Sequence, residues 1–231
     1  MKTSLVIPAL FFAACATTGS SGKGSSAPFQ GESAVQKRQT EIQDAAKTAM
    51  DCMKVKAGED PGKGGVFAVS ADAAGKLKID AMKWEGPEPM KQCIVDTSNK
   101  VTVTPLPGPS VGTVWEFVPP GQSATPAKAP DDFAVLMQPL STSMQDEIKA
   151  CGDKFLGVDF SAKGDVSYYL YNTGQAYAPT IIHSNAKDGS FESCVQDVIL
   201  KTKFPVVTVA KPFPSQFHFK VGITDTNERV Q

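Results

Sequence analysis

The chain of 231 residues is poor in the side chains that most active sites need, since it has only two histidines. It contains no Ser/His/Asp motif, phosphate-binding glycine loop, His-x-x-x-His pair or Cys-x-x-Cys pair. Lys and Arg number 23 against 24 Asp and Glu, so there is no basic excess for a nucleic acid. We therefore expect a protein without catalytic activity, bound metal, other cofactor or nucleic-acid partner.

The beginning of the chain has the features of an export signal. A lysine is followed by an apolar run, residues 5–14, which is too short to span a membrane as a helix. Residues 12–15, Phe-Ala-Ala-Cys, resemble the lipobox of bacterial lipoproteins, with Phe12 where leucine is usual. This resemblance implies cleavage before Cys15 and fatty acyl chains on that residue. The alternative is an ordinary signal peptide that is cleaved after Ala16.

Lipidation at Cys15 would place the protein on a membrane of the cell envelope. Two or more acyl chains anchor a protein stably, whereas one chain binds only marginally. The next residue is Ala16 rather than aspartate, which favours the outer membrane under the sorting rule of Gram-negative bacteria. We expect an outer-membrane lipoprotein that faces the periplasm or the cell surface.

The four remaining cysteines indicate an internal duplication. Cys52 and Cys93 are 41 residues apart, and Cys151 and Cys194 are 43 residues apart. In each copy an amphipathic helix leads to the first cysteine and a strand–turn–strand follows it. The turns read Asp-Ala-Ala-Gly and Asn-Thr-Gly, which are typical of hairpins. A second helix carries the second cysteine, and a closing strand ends each copy.

An even number of cysteines in an exported protein predicts two disulfides, for which three connectivities are possible. If the copies are homologous, the simplest pairing is Cys52–Cys93 and Cys151–Cys194. Each bridge would then join the two helices of one copy. The rival interpretation is a zinc site of four thiolates, although zinc sites usually contain close cysteine pairs.

Composition divides the chain into segments. A Ser/Gly-rich stretch is typical of a flexible tether, and a later Pro-rich stretch is typical of an extended linker. Residues 133–137, which have no counterpart in the first copy, are predicted to form a short extra strand. The predicted segments are a signal peptide (1–14), a tether (15–34), a first domain (35–118), a linker (119–131), a second domain (132–224) and a tail (225–231).

The second copy resembles a known family in its last third. The stretch SCVQDVILKTKFPVVTVAKPFPSQFHFKV is similar to the end of the TonB C-terminal-like domain of the myxobacterial AgmX gliding-motility type. The first copy has Thr104-Pro105 in place of Phe-Pro. The resemblance implies an α+β fold in which each domain is a three-stranded antiparallel sheet with helices on one face, and a binding role. The inner-membrane helix and long spanning segment of a true TonB are missing from the sequence, which argues against energy transduction.

Tyrosines are concentrated in the second hairpin, where all four lie within ten residues. Alternation along a strand groups Tyr168 with the core and leaves Tyr169 and Tyr171 exposed. With Tyr177 they are candidate binding residues, because tyrosine is enriched at interaction surfaces. The other interpretation is that tyrosine is simply a good strand former.

Other side chains are assigned structural roles. In the helix of the second copy, Met144, Ile148, Cys151 and Phe155 are predicted to share one face. His183 and His218 are interpreted as solvated strand residues rather than ligands.

These observations favour a non-catalytic scaffold or adaptor in an envelope complex, and the family resemblance points to motility or transport machinery. Its partners would be the membrane, through the lipid, and envelope proteins, for example by strand addition to an open sheet edge. Two alternatives are a lipoprotein that captures a peptide or glycan, and a hydrolase whose site the sequence does not reveal.

Overall fold

The computed structural model describes residues 27–54, 62–118, 127–157 and 161–222, and within them the order α–β–β–α–β occurs twice. The first half, residues 27–118, contains α1 (Glu32–Ala49), β1 (Gly65–Ala71), β2 (Leu77–Trp84), α2 (Glu88–Ser98) and β3 (Val111–Phe117). A short 3-10 turn, Met50–Met53, follows α1. The second half, residues 127–222, contains α3 (Phe133–Phe155), β4 (Ala162–Leu170), β5 (Ala176–Ser184), α4 (Gly189–Lys201) and β6 (Phe213–Val221).

Each half forms an antiparallel sheet of three strands, in the order β2-β1-β3 and β5-β4-β6. The two strands of each hairpin pair with each other, and the closing strand pairs with the other side of the first hairpin strand. The equal strand order in the two halves agrees with the predicted duplication. The predicted α+β fold with two three-stranded antiparallel sheets is confirmed.

The helices of each half pack on one face of its sheet, which we call the inner face. In the first half, the α1 side chains Ile42 and Ala46 lie against Phe67 and Trp115. Their spacing of four residues places both α1 side chains on the same side of the helix. The equivalent core of the second half joins α3 and α4 to the inner-face residues of β4.

The predicted apolar face of α3 is confirmed. Met144, Ile148 and Cys151 are buried in the second core, and Phe155 packs partly against it. The helix begins earlier than expected, because residues 133–137 form its first turns and not the predicted extra strand. The apolar contacts continue at helical spacing from Phe133, whose ring lies edge-on to that of Phe213 at 5.0 Å.

The two disulfides are Cys52–Cys93 and Cys151–Cys194, with Cα–Cα distances of 5.7 and 6.0 Å. The first joins the 3-10 turn after α1 to α2, and the second joins α3 to α4. Each bridge therefore ties the two helices of one half together, as the duplication predicts.

The structure describes only part of the predicted tether, and that part is not a free coil. Helix α1 starts at Glu32, and the ring of Phe29 packs partly against both cores. The predicted signal peptide, Cys15, residues 15–26, most of the linker and the tail lie outside the described residues. In the described ranges, no helix combines the length and the apolar character that crossing a membrane requires.

Candidate binding site at the seam between the two halves

The two halves pack against each other through a small apolar cluster, which we call the seam. On the side of the first half it contains residues of the outer face of the sheet, which is the face without helices: Val66, Ala68, Met82 and Val114. The second half contributes Tyr169, Tyr171, Tyr177, Ala178 and Val209. The seam therefore joins the first sheet to the hairpin of the second.

The tyrosine pattern is only partly as predicted. Tyr168 is buried in the second core, as expected. The expected exposure of Tyr169 and Tyr171 is wrong, because both pack into the seam and Tyr171 is only 8% exposed. Burial raises the pKa of Tyr169, and a hydrogen bond with Thr113 of the first half partly opposes that shift. The rings of Tyr169 and Tyr171 thus contact the first half of the same chain. Tyr177 is partly exposed, and its hydroxyl donates a hydrogen bond to the Gln175 side chain.

The centre of the seam is a close approach of β3 to β5. The N–H of Gly112 donates to the Thr180 hydroxyl at 2.7 Å, and that hydroxyl lies 3.3 Å from the Gly112 carbonyl. A β-carbon at Gly112 would lie 2.6 Å from the β-carbon of Ala178, so only glycine fits there. The outward backbone groups of Gly112 are thus bonded to a side chain of the other half.

A glutamine of α4 continues this closure of the β3 edge. The side-chain amide of Gln196 donates to the carbonyls of Ser110 and Pro179, at 2.7 and 2.9 Å, and accepts the Ser110 hydroxyl. Within the first half, Gln43 of α1 donates to the Val114 carbonyl. These bonds occupy the side of β3 that faces away from β1.

The β6 edge is also protected. Gln145 of α3 bonds through its side-chain amide to both backbone groups of Lys220, much as a neighbouring strand would. Pro214, on the same side of the strand by alternation, has no N–H to offer. A strand could therefore add to this edge only over a short length.

The edge of β2 differs from the other edges. Residues that face each other in an antiparallel pair both direct their backbone groups toward each other or both direct them away. Gly112 and Val114 direct theirs away from β1, so their register partners Ser70 and Ala68 direct theirs away from β3 and toward β2. Their β2 partners, Lys78 and Asp80, direct their backbone groups toward β1. The backbone N–H and C=O of Ile79, between them, therefore point outward, away from the sheet. No described residue makes a hydrogen bond to those two groups. Among the residues that the structure describes, only the start of this edge is covered, by a bridge between Lys76 and Thr102.

The exposed β2 edge lines a groove of about 850 Å³, which we call the edge groove. Its floor and walls come from both halves. From the first half they include Lys78, Ile79, Asp80, Val95 and Asn99, and from the second Tyr177, Pro179 and Leu200. Leu200 is 49% exposed, so a large apolar side chain faces solvent at the rim. Lys78 and Asp80 pair at 3.2 Å, which leaves no excess charge of one sign there.

A second groove, of about 940 Å³, runs between α3 and α4 beside the Cys151–Cys194 bridge. We call it the helix groove. Glu147 and Lys154 line it from α3, and Asp197 and Lys201 line it from α4. Its charges alternate in sign, and its walls belong mainly to one half.

The two histidines lie on the outer face of the second sheet, and both are exposed, as predicted. Both are register partners of Asp165 in the central strand, and His218 approaches its carboxylate at 3.0 Å. No group of three or more His, Cys, Asp or Glu side chains suited to a metal occurs in the described part of the chain.

Sequence patterns missed the polar residues that join the two halves. Thr180 is a single polar residue in an apolar stretch, and Gln196 lies beside Asp197 in an amphipathic helix, and neither pattern indicates the partner of the side chain. The sequence also gives no sign that Glu192 in α4 is fully buried, because its hydrogen-bond partner, Phe29, is 163 residues away. Glycine at position 112 was the one available hint, since a glycine inside a strand often marks a close backbone approach. Comparison of the chain with protein-family models, curated proteins and solved structures finds no match.

Proposed function

We propose that this protein is an envelope lipoprotein, anchored in the outer membrane through Cys15, that acts as a non-catalytic scaffold or adaptor. Its binding element is the β2 edge, and its partner presents an extended segment that adds to this edge. The resemblance to the AgmX type suggests that the complex belongs to motility or transport machinery.

The difference between β2 and the other sheet edges supports this proposal. Some of the outward backbone groups of β3 and β6 are bonded to side chains, at Gly112 and Val114 and at Lys220, and β5 lies against the first half. The outward groups of Ile79 have no such partner among the described residues. An open strand edge is a ready template for pairing with another chain.

The groove beside that edge supplies a place for the partner's side chains. An added strand would direct alternate side chains toward Val95 on one side and toward Tyr177 and Leu200 on the other. Backbone bonds would provide affinity, and these pockets would provide selectivity.

The test is a photo-crosslinking amino acid at position 78, which lines the edge groove, in cells of the native host. We expect an adduct with an envelope protein that is absent when the probe is at position 163, on the exposed outer face of the second sheet. A label that reacts equally at both positions would contradict a specific site at the β2 edge.

Two substitutions at one position make the test specific to the edge. Ile79→Pro removes the outward N–H, and Ile79→Ala removes more side-chain packing but keeps the N–H. We expect the adduct to persist with Ile79→Ala and to vanish with Ile79→Pro, while circular dichroism shows both variants folded. Cys15→Ala reports separately on the anchor, and the same partner with and without the lipid would show that the anchor does not organise the complex.

The second candidate is a lipoprotein that captures a peptide or glycan, for which the helix groove offers room. Photo-labelling from position 154, inside that groove, distinguishes the two. An adduct there, with none at position 78, favours the ligand-binding role.

A further inference from the structure

The segment just before α1, residues 27–31, crosses from one half to the other, and we call it the strap. The ring of Phe29 packs partly against both hydrophobic cores. Phe29 and Gln30 line a space of only about 10 Å³ together with Leu106 and Ile181, so the strap is closely packed. Gly31, with φ of 94°, turns the chain from the strap into α1.

The strap is fixed to the second half by a hydrogen bond to a buried carboxylate. The N–H of Phe29 donates to a carboxylate oxygen of Glu192 at 2.7 Å. Glu192 lies in α4 and is 0% exposed. A carboxylate is rarely buried without a positive partner, because removing its charge from water is costly.

We propose that the strap is a proton-controlled clamp, which holds the two halves together while Glu192 is neutral and loosens when Glu192 ionises. The strap is therefore a second contact between the halves, separate from the seam, because Phe29 packs against the two hydrophobic cores. Opening the strap would let water reach the carboxylate and would release Phe29 from both cores. The clamp is independent of any partner at the β2 edge.

The groups around Glu192 favour its neutral form. The pKa of Glu192 is raised to about 7, mainly by burial and also by the nearby Asp188 carboxylate. The Ser184 hydroxyl of β5 and the Phe29 amide of the strap lower the pKa, but neither carries a charge. Asp188 is the charged group that acts on Glu192, and it also caps α4 by accepting the N–H groups of Ser190 and Phe191.

The direction of the effect follows from linkage. When the strap is open and the carboxylate is hydrated, Glu192 titrates near the ordinary value of 4.5. Between that pH and about 7, the open form ionises more readily than the closed form. The closed population therefore decreases as the pH rises through this range and levels off above it.

The test is solvent exchange of the Phe29 amide in the purified protein, followed by NMR and corrected for the intrinsic effect of pH. We expect its protection to fall about tenfold or more between pH 5.5 and pH 8. In Glu192→Gln, which stays neutral, protection should hardly depend on pH. Phe29→Ala should weaken the clamp and speed exchange at both pH values.

Glu147→Gln is the matched control, because it makes the same change at an exposed position of α3 and should behave like the wild type. If Glu192→Gln does not fold, Asp188→Asn decides, since asparagine keeps the helix cap but removes the like charge. Its opening transition should shift to lower pH. Unchanged protection in the wild type, the same loss in Glu192→Gln, or an unshifted transition in Asp188→Asn would each overturn the clamp.

Discussion

Thr180 of the second half accepts the backbone N–H of Gly112 in the first half at 2.7 Å, and its side chain is fully buried. One hydroxyl thus closes an edge of a sheet that belongs to the other half of the chain. A polar contact of this kind specifies which surfaces meet, because any other arrangement would leave buried groups without partners.

Thr180→Val keeps the shape of the side chain and removes the hydroxyl, so it tests this contact directly. The Gly112 N–H would remain buried without an acceptor, and we expect a loss of about 1–3 kcal/mol in the free energy of unfolding. Urea denaturation measures the effect. Thr142→Val, at an exposed position of α3, is the control and should change stability by less than about 0.5 kcal/mol. Equal stabilities for both variants would contradict the role given to the Thr180 hydroxyl.

Gly112→Ala tests the close approach of β3 and β5. The added β-carbon would meet Ala178, and the forced separation should cost about 1–3 kcal/mol of stability. Ala178→Gly in the same chain should recover part of the loss. It makes room and also removes a side chain from a residue with φ of 50°. A double variant no more stable than Gly112→Ala would show that the two residues do not interact.

The disulfides give a prediction for protein taken from its native host. Cys52, Cys93, Cys151 and Cys194 should resist alkylation without reduction. Mass spectrometry should also find the chain beginning at Cys15 with acyl chains attached. Four free thiols beside an intact initiator methionine would refute both export and lipidation.

Removal of the first bridge should weaken the first half. A double Cys52→Ala, Cys93→Ala variant reopens a loop of 41 residues, which should cost about 4 kcal/mol of stability. We expect a lower urea midpoint for the first half. The fluorescence of Trp84 and Trp115, which both lie in that half, measures it. A midpoint equal to that of the wild type would show that this bridge contributes little.

Glu192 should make the stability of the whole protein depend on pH. Its folded pKa, about 7, is above its ordinary value of 4.5, so the folded state holds the proton longer than the unfolded chain. Unfolding therefore becomes easier as the pH rises from about 4.5 to about 7. The full difference corresponds to about 3 kcal/mol. Urea midpoints of the wild type and Glu192→Gln, compared at pH 5 and pH 8, isolate this contribution. Parallel behaviour of the two proteins would exclude it.

Local pattern was enough to predict the elements and their repetition. Cysteine spacing, hairpin turns and the apolar face of α3 depend on residues close in sequence, and the structure confirms the fold and both disulfides. The predicted strand at residues 133–137 is wrong because a short apolar run can belong to a strand or to a helix. Its helical continuation was visible only from the contact of Phe133 with a strand 80 residues later in the chain.

The candidate site could not be predicted in the same way. The predicted exposure of Tyr171 is wrong because alternation distinguishes the two faces of a strand but does not show what covers the second face. The first half covers it, and that packing depends on Gly112 and Thr180, which are distant in sequence. The buried state of Glu192 likewise depends on a residue in the predicted tether.

The contact between β3 and β5 has a consequence for self-association. It is head-to-tail, since the third strand of one half meets the second strand of the other, and such contacts can repeat into fibres. By the strand registers, the position of Gly112 in the second half is occupied by Pro214. The position of Thr180 in the first half is occupied by Asp80. Proline has no N–H to donate, and a carboxylate cannot donate to a carbonyl, so we expect that the same contact does not form again between molecules and that fibres do not grow.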